Sequence, residues 1–399
     1  MRQAVELNQD YIPAQLWLAG ALGEQGRYPE QHLVLQQAMQ RDPLNELLMV
    51  NYAGNLSMRG DWESGKEMLG GLLDVRPDST ILLRFMSKME LYNGNLVEGW
   101  KLADRAYQLQ PGNPEDIANL AQTWVLLGQP DEAEKLVLKG LEASDQNMNL
   151  LGTHFLTLIV RKRYEEAESL LREQMAEYGE QLPDALKRKF NMQLGLIAMV
   201  RGDVPKARGL LVSALPEDDE PTYSGDEIMI LTLAALATDE MGDEQAAAEM
   251  LEQAERVIKR GRLNGVDNPG IYYSEAVLLT MREDYSRAME KLQEAYNRGF
   301  REKWVLDIDG RLEPLRNQPE FIGLMDQITE DLSRAKAEIK SLSLASLLAE
   351  ARRLQIGPSP RSSAQSVCPP EQGSARAADR RPVESCPVTA GREPGPRPG

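Results

Sequence analysis

Apolar and polar positions alternate along most of the chain with the 3.6-residue period of amphipathic helices. Each helical stretch is short and ends in a polar turn that carries a glycine or a proline. Turn glycines recur with a constant period of about 34 residues, and prolines recur in phase with them, half a period further on. These markers are Gly26, Gly60, Gly94 and Gly128, with Pro43, Pro77 and Pro111. The pattern predicts a repeated unit of helix, turn, helix, turn.

Small residues recur where the two helices of a unit must approach closely, at Gly65, Gly99, Ala133 and Ala167. Lys162 occupies the glycine place of the fifth unit. After Lys162 the spacing between turns lengthens, but each later unit still has a turn followed by a helix, with a small residue at the equivalent position. Those small residues are Ala207, Ala247 and Ala288. We count about eight units within residues 1–298.

These features together resemble the tetratricopeptide repeat, a helical hairpin of about 34 residues with small packing residues and a closing proline. The resemblance covers roughly residues 1–298. It implies an all-α fold, a right-handed α-solenoid of about eight hairpins. Each hairpin buries its apolar face against its neighbours, and the concave groove is the functional surface. The expected function is a non-catalytic scaffold that binds a peptide or protein segment in that groove.

Residues 299–356 are predicted to close the array. Pro319 begins a long helix with an apolar stripe suited to capping the superhelix. The stripe consists of Phe321, Leu324, Ile328, Leu332 and Ile339. With Trp304, Leu312, Leu315, Arg316, Pro319 and Phe321, the block resembles the segment that closes the repeat region of certain bacterial signalling proteins.

In those proteins the repeats follow a nucleotide cyclase, a winged-helix domain or a similar output domain. The resemblance therefore implies an alternative function, the C-terminal regulatory or sensor region of a larger bacterial signalling enzyme or transcription regulator. Residues 2–8 match the end of a second helix whose partner helix is missing. We accordingly expect Met1 to be an internal residue or a late start.

Residues 357–399 differ abruptly in composition, with nine Pro and six Arg but no Leu, Ile, Phe, Tyr or Trp. Ordering them would cost roughly 1–2 kcal/mol per residue with almost no apolar area to offset it. We expect a disordered tail. The weakly basic tail is either a tether or an intramolecular ligand for the acidic array, or it is an unstructured extension without a function.

The 399 residues carry 45 Lys and Arg against 62 Asp and Glu, a net charge of −17. This balance argues against nucleic-acid binding and fits a basic or neutral partner. No apolar stretch is long enough to predict a membrane span. The two cysteines, Cys368 and Cys386, both lie in the tail, so we expect a reducing, cytoplasmic setting without disulfides or a zinc site.

Motifs that could indicate an enzyme have better explanations. Gly60–Lys66 fits the start of a phosphate-binding loop, but Glu67 stands where Ser or Thr must hold Mg²⁺, and the setting is helical. His32 and His154 lie in different repeats with no nucleophile at an informative spacing. The acidic runs Glu217–Glu220 and Asp307–Gly310 lack the ligand pattern of a calcium loop. We therefore expect no enzyme activity, no cofactor and no metal.

The first helices of the repeats are predicted to present polar side chains to the groove. Asn and Gln can hydrogen-bond a peptide backbone, Arg84 and Lys88 can meet a carboxylate, and Tyr92 offers a stacking face. The predicted groove residues are Asn51, Arg84, Lys88, Tyr92, Asn119 and Gln122.

Overall fold

The computed structural model describes residues 11–179, 182–216 and 223–355, with side chains as far as Leu344. Contacts divide the chain into a unit that ends at Ser346 and a second unit, Leu347–Gly399, of which only backbone up to Gln355 is described. The predicted partial helix at 2–8, the run Glu217–Glu220 and the tail 357–399 lie outside the described residues.

Within the described ranges of the first unit, sixteen helices form eight consecutive hairpins. The pairs are α1 (Ile12–Glu24) with α2 (Tyr28–Arg41), α3 (Glu46–Met58) with α4 (Trp62–Val75), α5 (Thr80–Tyr92) with α6 (Leu96–Leu109), α7 (Pro114–Leu126) with α8 (Pro130–Ala143), α9 (Met148–Val160) with α10 (Tyr164–Tyr178), α11 (Asp184–Val200) with α12 (Val204–Ala214), α13 (Gly225–Glu240) with α14 (Glu244–Leu263), and α15 (Pro269–Met281) with α16 (Tyr285–Asn297). The predicted right-handed α-solenoid of about eight hairpins is confirmed.

The first helices of repeats 2–5 begin at capping residues that recur with the period of the turn glycines: Asn45, Ser79, Asn113 and Asn147. The Asn45 side chain accepts a hydrogen bond from the Leu48 amide at 3.2 Å, and the other three make the same kind of bond. Such caps satisfy amides that the first helical turn leaves without partners. The helix starts are therefore fixed locally, by residues whose spacing is visible in the sequence.

The predicted small positions are the points of closest approach within the hairpins. A Cβ on Gly99 would lie 2.5 Å from Leu91 Cγ and 3.1 Å from the Ser87 carbonyl oxygen. Ala133 and Ala167 are fully buried at the equivalent place. Any larger side chain there would separate the two helices of the hairpin.

The closing block begins with α17 (Lys303–Ile308) and a 3₁₀ turn (Gly310–Leu315), and it ends in the long helix α18 (Pro319–Gln355). The five stripe residues of α18 are at most 5% exposed, which confirms their prediction as an apolar packing face. They join a core with Ala288 and Leu292 of the last hairpin. Asp331 of α18 accepts hydrogen bonds from the Tyr296 hydroxyl at 3.0 Å and from Arg301 at 2.8 Å.

The solenoid also closes on itself, which the sequence did not predict. The turn at Gly26 contacts Tyr223, the turn at Gly60 contacts Asp267, and the turn at Gly94 contacts Gly299. Hydrogen bonds to backbone carbonyls stabilise these contacts. The Asp267 amide donates to the Met58 carbonyl at 2.9 Å, and the Asn264 side chain donates to the Gly26 carbonyl at 2.9 Å. We call the turns at Gly26, Gly60 and Gly94 the docked turns.

Candidate functional site

Equivalent positions on the first helices form two rows, which follow from the repeat period. The Trp17 row consists of Trp17, Asn51, Phe85 and Asn119, and the Gly20 row, nearly one turn further on, consists of Gly20, Gly54, Lys88 and Gln122. Trp17 is 70% exposed and Phe85 37% exposed. A Cβ on Gly20 or Gly54 would meet nothing within 4 Å. In repeats 1–3 the two rows therefore border open space.

Two of the six predicted groove residues present their side chains freely. Lys88 is exposed, and within the described residues its ammonium makes no hydrogen bond or ion pair. Tyr92, one turn further along α5, is 64% exposed and lines a cavity described below. Burial of its surroundings and the nearby Arg84 charge both lower the pKa of Lys88.

The other four predicted groove residues bond within the protein. Arg84 Nη1 donates to Asp116 Oδ1 on α7 at 2.7 Å, and Asp116 is fully buried. Burial raises the pKa of Asp116, although the Arg84 hydrogen bond opposes that shift. The Arg84 pair therefore joins repeat 3 to repeat 4.

Asn119 is 3% exposed and donates to Ser87 Oγ at 3.4 Å. Gln122 donates to Thr153 Oγ1 at 3.0 Å, and Asn51 donates to the Leu47 carbonyl of its own helix at 2.7 Å. The first of these two bonds again joins neighbouring repeats. The side chains of Asn119 and Gln122 thus help to hold one repeat against the next.

Sequence reasoning missed Trp17, Phe85 and the two open glycines, although a signal for them was present. Trp17 and Phe85 lie one period before and one period after Asn51, so they belong to a row that was already represented. The predicted groove residues are polar side chains and Tyr92, so Trp17 and Phe85 on the same row were left out. An exposed tryptophan in a solvent-facing row indicates a binding surface better than a lone Asn does.

A cavity of about 1290 Å³ lies where the first three repeats meet repeats 6–8 and the closing block. Most of its lining comes from the first helices of repeats 6–8, from the closing block and from the ends of α1, α3 and α5. Tyr28 and Tyr223 meet edge to face, with ring centroids 6.3 Å apart, where a docked turn reaches this lining. The cavity exists because the solenoid closes on itself.

One wall of the cavity carries a buried polar cluster. Arg311 donates to both carboxylate oxygens of Asp309 at 2.8 Å and to Thr232 Oγ1 at 2.6 Å, and the Tyr273 hydroxyl also donates to Asp309. Burial disfavours a charged carboxyl, but the Arg311 guanidinium holds the pKa of Asp309 below its usual value. Of the run Asp307–Gly310, the first two residues end α17 and Asp309 caps the 3₁₀ turn.

The two histidines lie on different repeats, His32 on α2 and His154 on α9. His32 Nδ1 lies 3.2 Å from Asn55 Oδ1, and its ring lies beside that of Tyr52 at a centroid distance of 4.9 Å. His154 is part-buried, and burial lowers its pKa.

In the part of the chain that the structure describes, no group of His, Cys, Asp and Glu residues is placed to hold a metal ion. The described helices likewise include none that is long and apolar enough to cross a membrane.

In the described part of the chain, eight consecutive helical hairpins, the first five on a 34-residue period, and a capping helix define the fold as a tetratricopeptide-like α-solenoid. No protein-family model matches the chain, and no curated protein matches it.

Solved structures do match it, at low identity. The APC/C hetero-tetramer Cut9–Hcn1 is 13% identical with a TM-score of 0.46, over 79% of this chain and 55% of that chain. TTC0263, a thermophilic TPR protein in Thermus thermophilus, is 17% identical with a TM-score of 0.40, over 46% and 98% of the two chains. Pseudomonas aeruginosa pilF is 17% identical with a TM-score of 0.38, over 63% and 99%. The chain thus spans just over half the length of the Cut9–Hcn1 chain that it matches.

Proposed function

We propose that the chain is a non-catalytic interaction scaffold that binds a peptide or protein segment on the concave face of repeats 1–4. The observation that supports this proposal is the pair of rows bordering open space, with Trp17 and Phe85 exposed beside the gaps at Gly20 and Gly54. Exposed aromatic side chains supply contact area at low entropic cost. The glycine gaps allow a ligand backbone to approach the helices closely.

The polar groups of the rows favour a ligand with an acidic end. Lys88 is exposed without a partner among the described residues, and its surroundings already disfavour its charged form. A carboxylate beside it would stabilise its ammonium through a charge-assisted hydrogen bond. Asn51 and Tyr92 are the other predicted groove residues that face a ligand in this proposal. Arg84, Asn119 and Gln122 keep the repeats in register.

The test is to select peptides from a library displayed with free C termini and to measure their affinity by fluorescence anisotropy. Lys88→Glu should weaken a selected acidic-ended peptide at least tenfold. Lys135→Glu on α8 is the matched control, since Lys135 is 70% exposed and pairs only locally with Glu132. Equal affinities for the two variants would remove Lys88 from the site. Arg84 is a poor probe because its loss would leave Asp116 buried without a partner.

The alternative function, a C-terminal regulatory or sensor region of a larger bacterial signalling enzyme or transcription regulator, rests on the closing block. Leu312 and Leu315 of that block are fully buried and Phe321 is 3% exposed, as a closing role requires. The intact mass of the protein in its source cells tests this alternative. A species well above 44.6 kDa would support it, and a species of that mass would favour a free-standing cytoplasmic scaffold.

A further inference from the structure

Most of the charged residues that line the cavity are acidic. Four carboxylates line it without a hydrogen bond or ion pair among the described residues: Glu24, Asp226, Glu240 and Glu302. Its one lining cation in the described chain, Arg311, is neutralised by Asp309. Glu313 also lines it but pairs with Arg316 at 2.6 Å. The cavity thus offers unpaired negative charge and, among the described residues, no free positive charge.

Glu302 is the carboxylate with the least access to water. Burial raises its pKa to about 7. It precedes α17 at the N-cap position, where its side chain makes no capping hydrogen bond. Phe300, which lines the same cavity, stacks its ring on Tyr273 at a centroid distance of 5.1 Å. A carboxylate held among apolar groups without a counter-ion is costly, and a bound cation would remove that cost.

Aromatic faces complete the surroundings of this carboxylate. Tyr92 lines the cavity, and desolvation of its hydroxyl among the lining residues, with the negative charge of Glu302 as the smaller cause, raises its pKa to about 12. Trp304 lines the cavity from α17, two residues after Glu302. Rings next to a carboxylate are the usual surroundings of a bound ammonium or guanidinium group. The remaining lining is largely apolar, with Met, Leu, Val and Ile side chains from repeats 6–8.

We propose that this cavity binds an organic cation, an ammonium or guanidinium group on an apolar stem, with Glu302 as its counter-ion and Tyr92 as its aromatic wall. The volume of about 1290 Å³ is ample for a stem of ten or more carbon atoms. The site shares only Tyr92 with the groove residues of the proposed scaffold function. Its test does not depend on peptide binding.

The test compares two ligands with the same stem and opposite charge. Isothermal titration calorimetry of the full chain at pH 8 would use decyltrimethylammonium and decanoate, both below the concentrations at which they form micelles. The cation should bind at least tenfold more tightly. Its affinity should fall as the pH is lowered from about 8 to about 6, because Glu302 is protonated in that range while the quaternary ammonium cannot titrate.

Two variants locate the cation. Glu302→Gln should weaken decyltrimethylammonium at least tenfold, whereas Glu313→Gln, which lines the same cavity but removes a paired carboxylate, should change it less than twofold. Equal binding of decanoate, or unchanged binding by Glu302→Gln, would overturn the proposal. If circular dichroism shows that Glu302→Gln does not fold, Tyr92→Leu replaces it, with an expected loss of at least threefold and the same overturning result.

A capped peptide with one arginine among leucines distinguishes the two sources of such a cation. Tighter binding of the peptide than of decyltrimethylammonium would identify a basic protein side chain as the ligand. Tighter binding of decyltrimethylammonium would identify a small amphipathic amine. Failure of both cations to bind would overturn the proposal.

Discussion

The docked turns of repeats 1–3 and the later turns look alike in sequence but differ in their surroundings. A Cβ on Gly26 would lie 2.7 Å from Tyr223 Cβ, whereas one on Gly128 would meet nothing within 4 Å. Lys162 and Glu283 occupy the same place in repeats 5 and 8, with φ of 58° and 61°. A left-handed turn therefore tolerates a side chain when it is free. At Gly26 the contact with Tyr223 leaves no room for one.

The later turns are stabilised in another way, by ion pairs between neighbouring repeats. Arg161, beside the turn of repeat 5, pairs with Asp131 at 2.7 Å and with Glu134. Arg201, beside the turn of repeat 6, pairs with Glu165 at 2.9 Å and with Glu168. The acidic partners of Arg201 lie one repeat after those of Arg161, at equivalent positions. The docked turns of repeats 1–3 are thus stabilised by close backbone contact, and the turns of repeats 5 and 6 by ion pairs.

The largest effect is expected from Gly26→Ala. Both Gly26→Ala and Gly128→Ala place a side chain in a left-handed turn, which costs about 1 kcal/mol. Only Gly26→Ala also forces Tyr223 aside, for which we expect about 2 kcal/mol more. Urea unfolding followed by circular dichroism measures both. Equal losses would mean that the docked turn contributes no more than a free one.

A smaller and pH-dependent effect is expected from Glu168→Gln in the other region. Hydrogen bonds from Arg172 and Lys206 hold the pKa of Glu168 at about 2, below its usual 4.5. A lowered carboxyl pKa stabilises the fold above the unfolded value and loses that contribution as the pH falls through the folded value. The substitution should therefore cost about 2 kcal/mol at pH 7 and progressively less from about pH 4.5 towards pH 2.

Glu173→Gln is the control for that experiment, because Glu173 is exposed on the same helix. Thermal unfolding at several pH values would follow both variants. A loss for Glu168→Gln that stays constant with pH would show that its charge is not what stabilises repeats 5 and 6. High salt should also reduce the stability of the parent protein towards that of Glu168→Gln, since exposed parts of the network are screened.

The smallest effect is expected from Lys162→Gly. The Lys162 backbone has φ of 58°. Glycine adopts this left-handed conformation without strain, so the substitution should stabilise the fold by about 0.5–1 kcal/mol. The reciprocal change Gly128→Lys should cost a similar amount, because a Cβ at Gly128 would meet nothing within 4 Å. Thermal unfolding measures the two. A destabilised Lys162→Gly variant would show that the lysine side chain contributes to the turn.

The candidate groove was predictable in position but not in detail. The repeat period places equivalent residues on equivalent helix faces, so the six predicted residues all lie on first helices. The period does not determine whether a side chain faces outward or reaches the next repeat. Arg84 meets Asp116 and Asn119 meets Ser87 because neighbouring first helices pack closely. Trp17 stays exposed because its row borders open space at repeat 1.

The helices, their caps, the small packing residues, the number of repeats and the apolar stripe of α18 could all be predicted from the sequence. All of these depend on contacts within a hairpin or between neighbours, which a periodic sequence records directly. The closure of the solenoid and its cavity could not be predicted, because they depend on contacts between distant repeats. The Asn264 side chain and the Gly26 carbonyl are 238 residues apart in the chain. Their meeting depends on small rotations summed over many repeats, and no short sequence pattern encodes that sum.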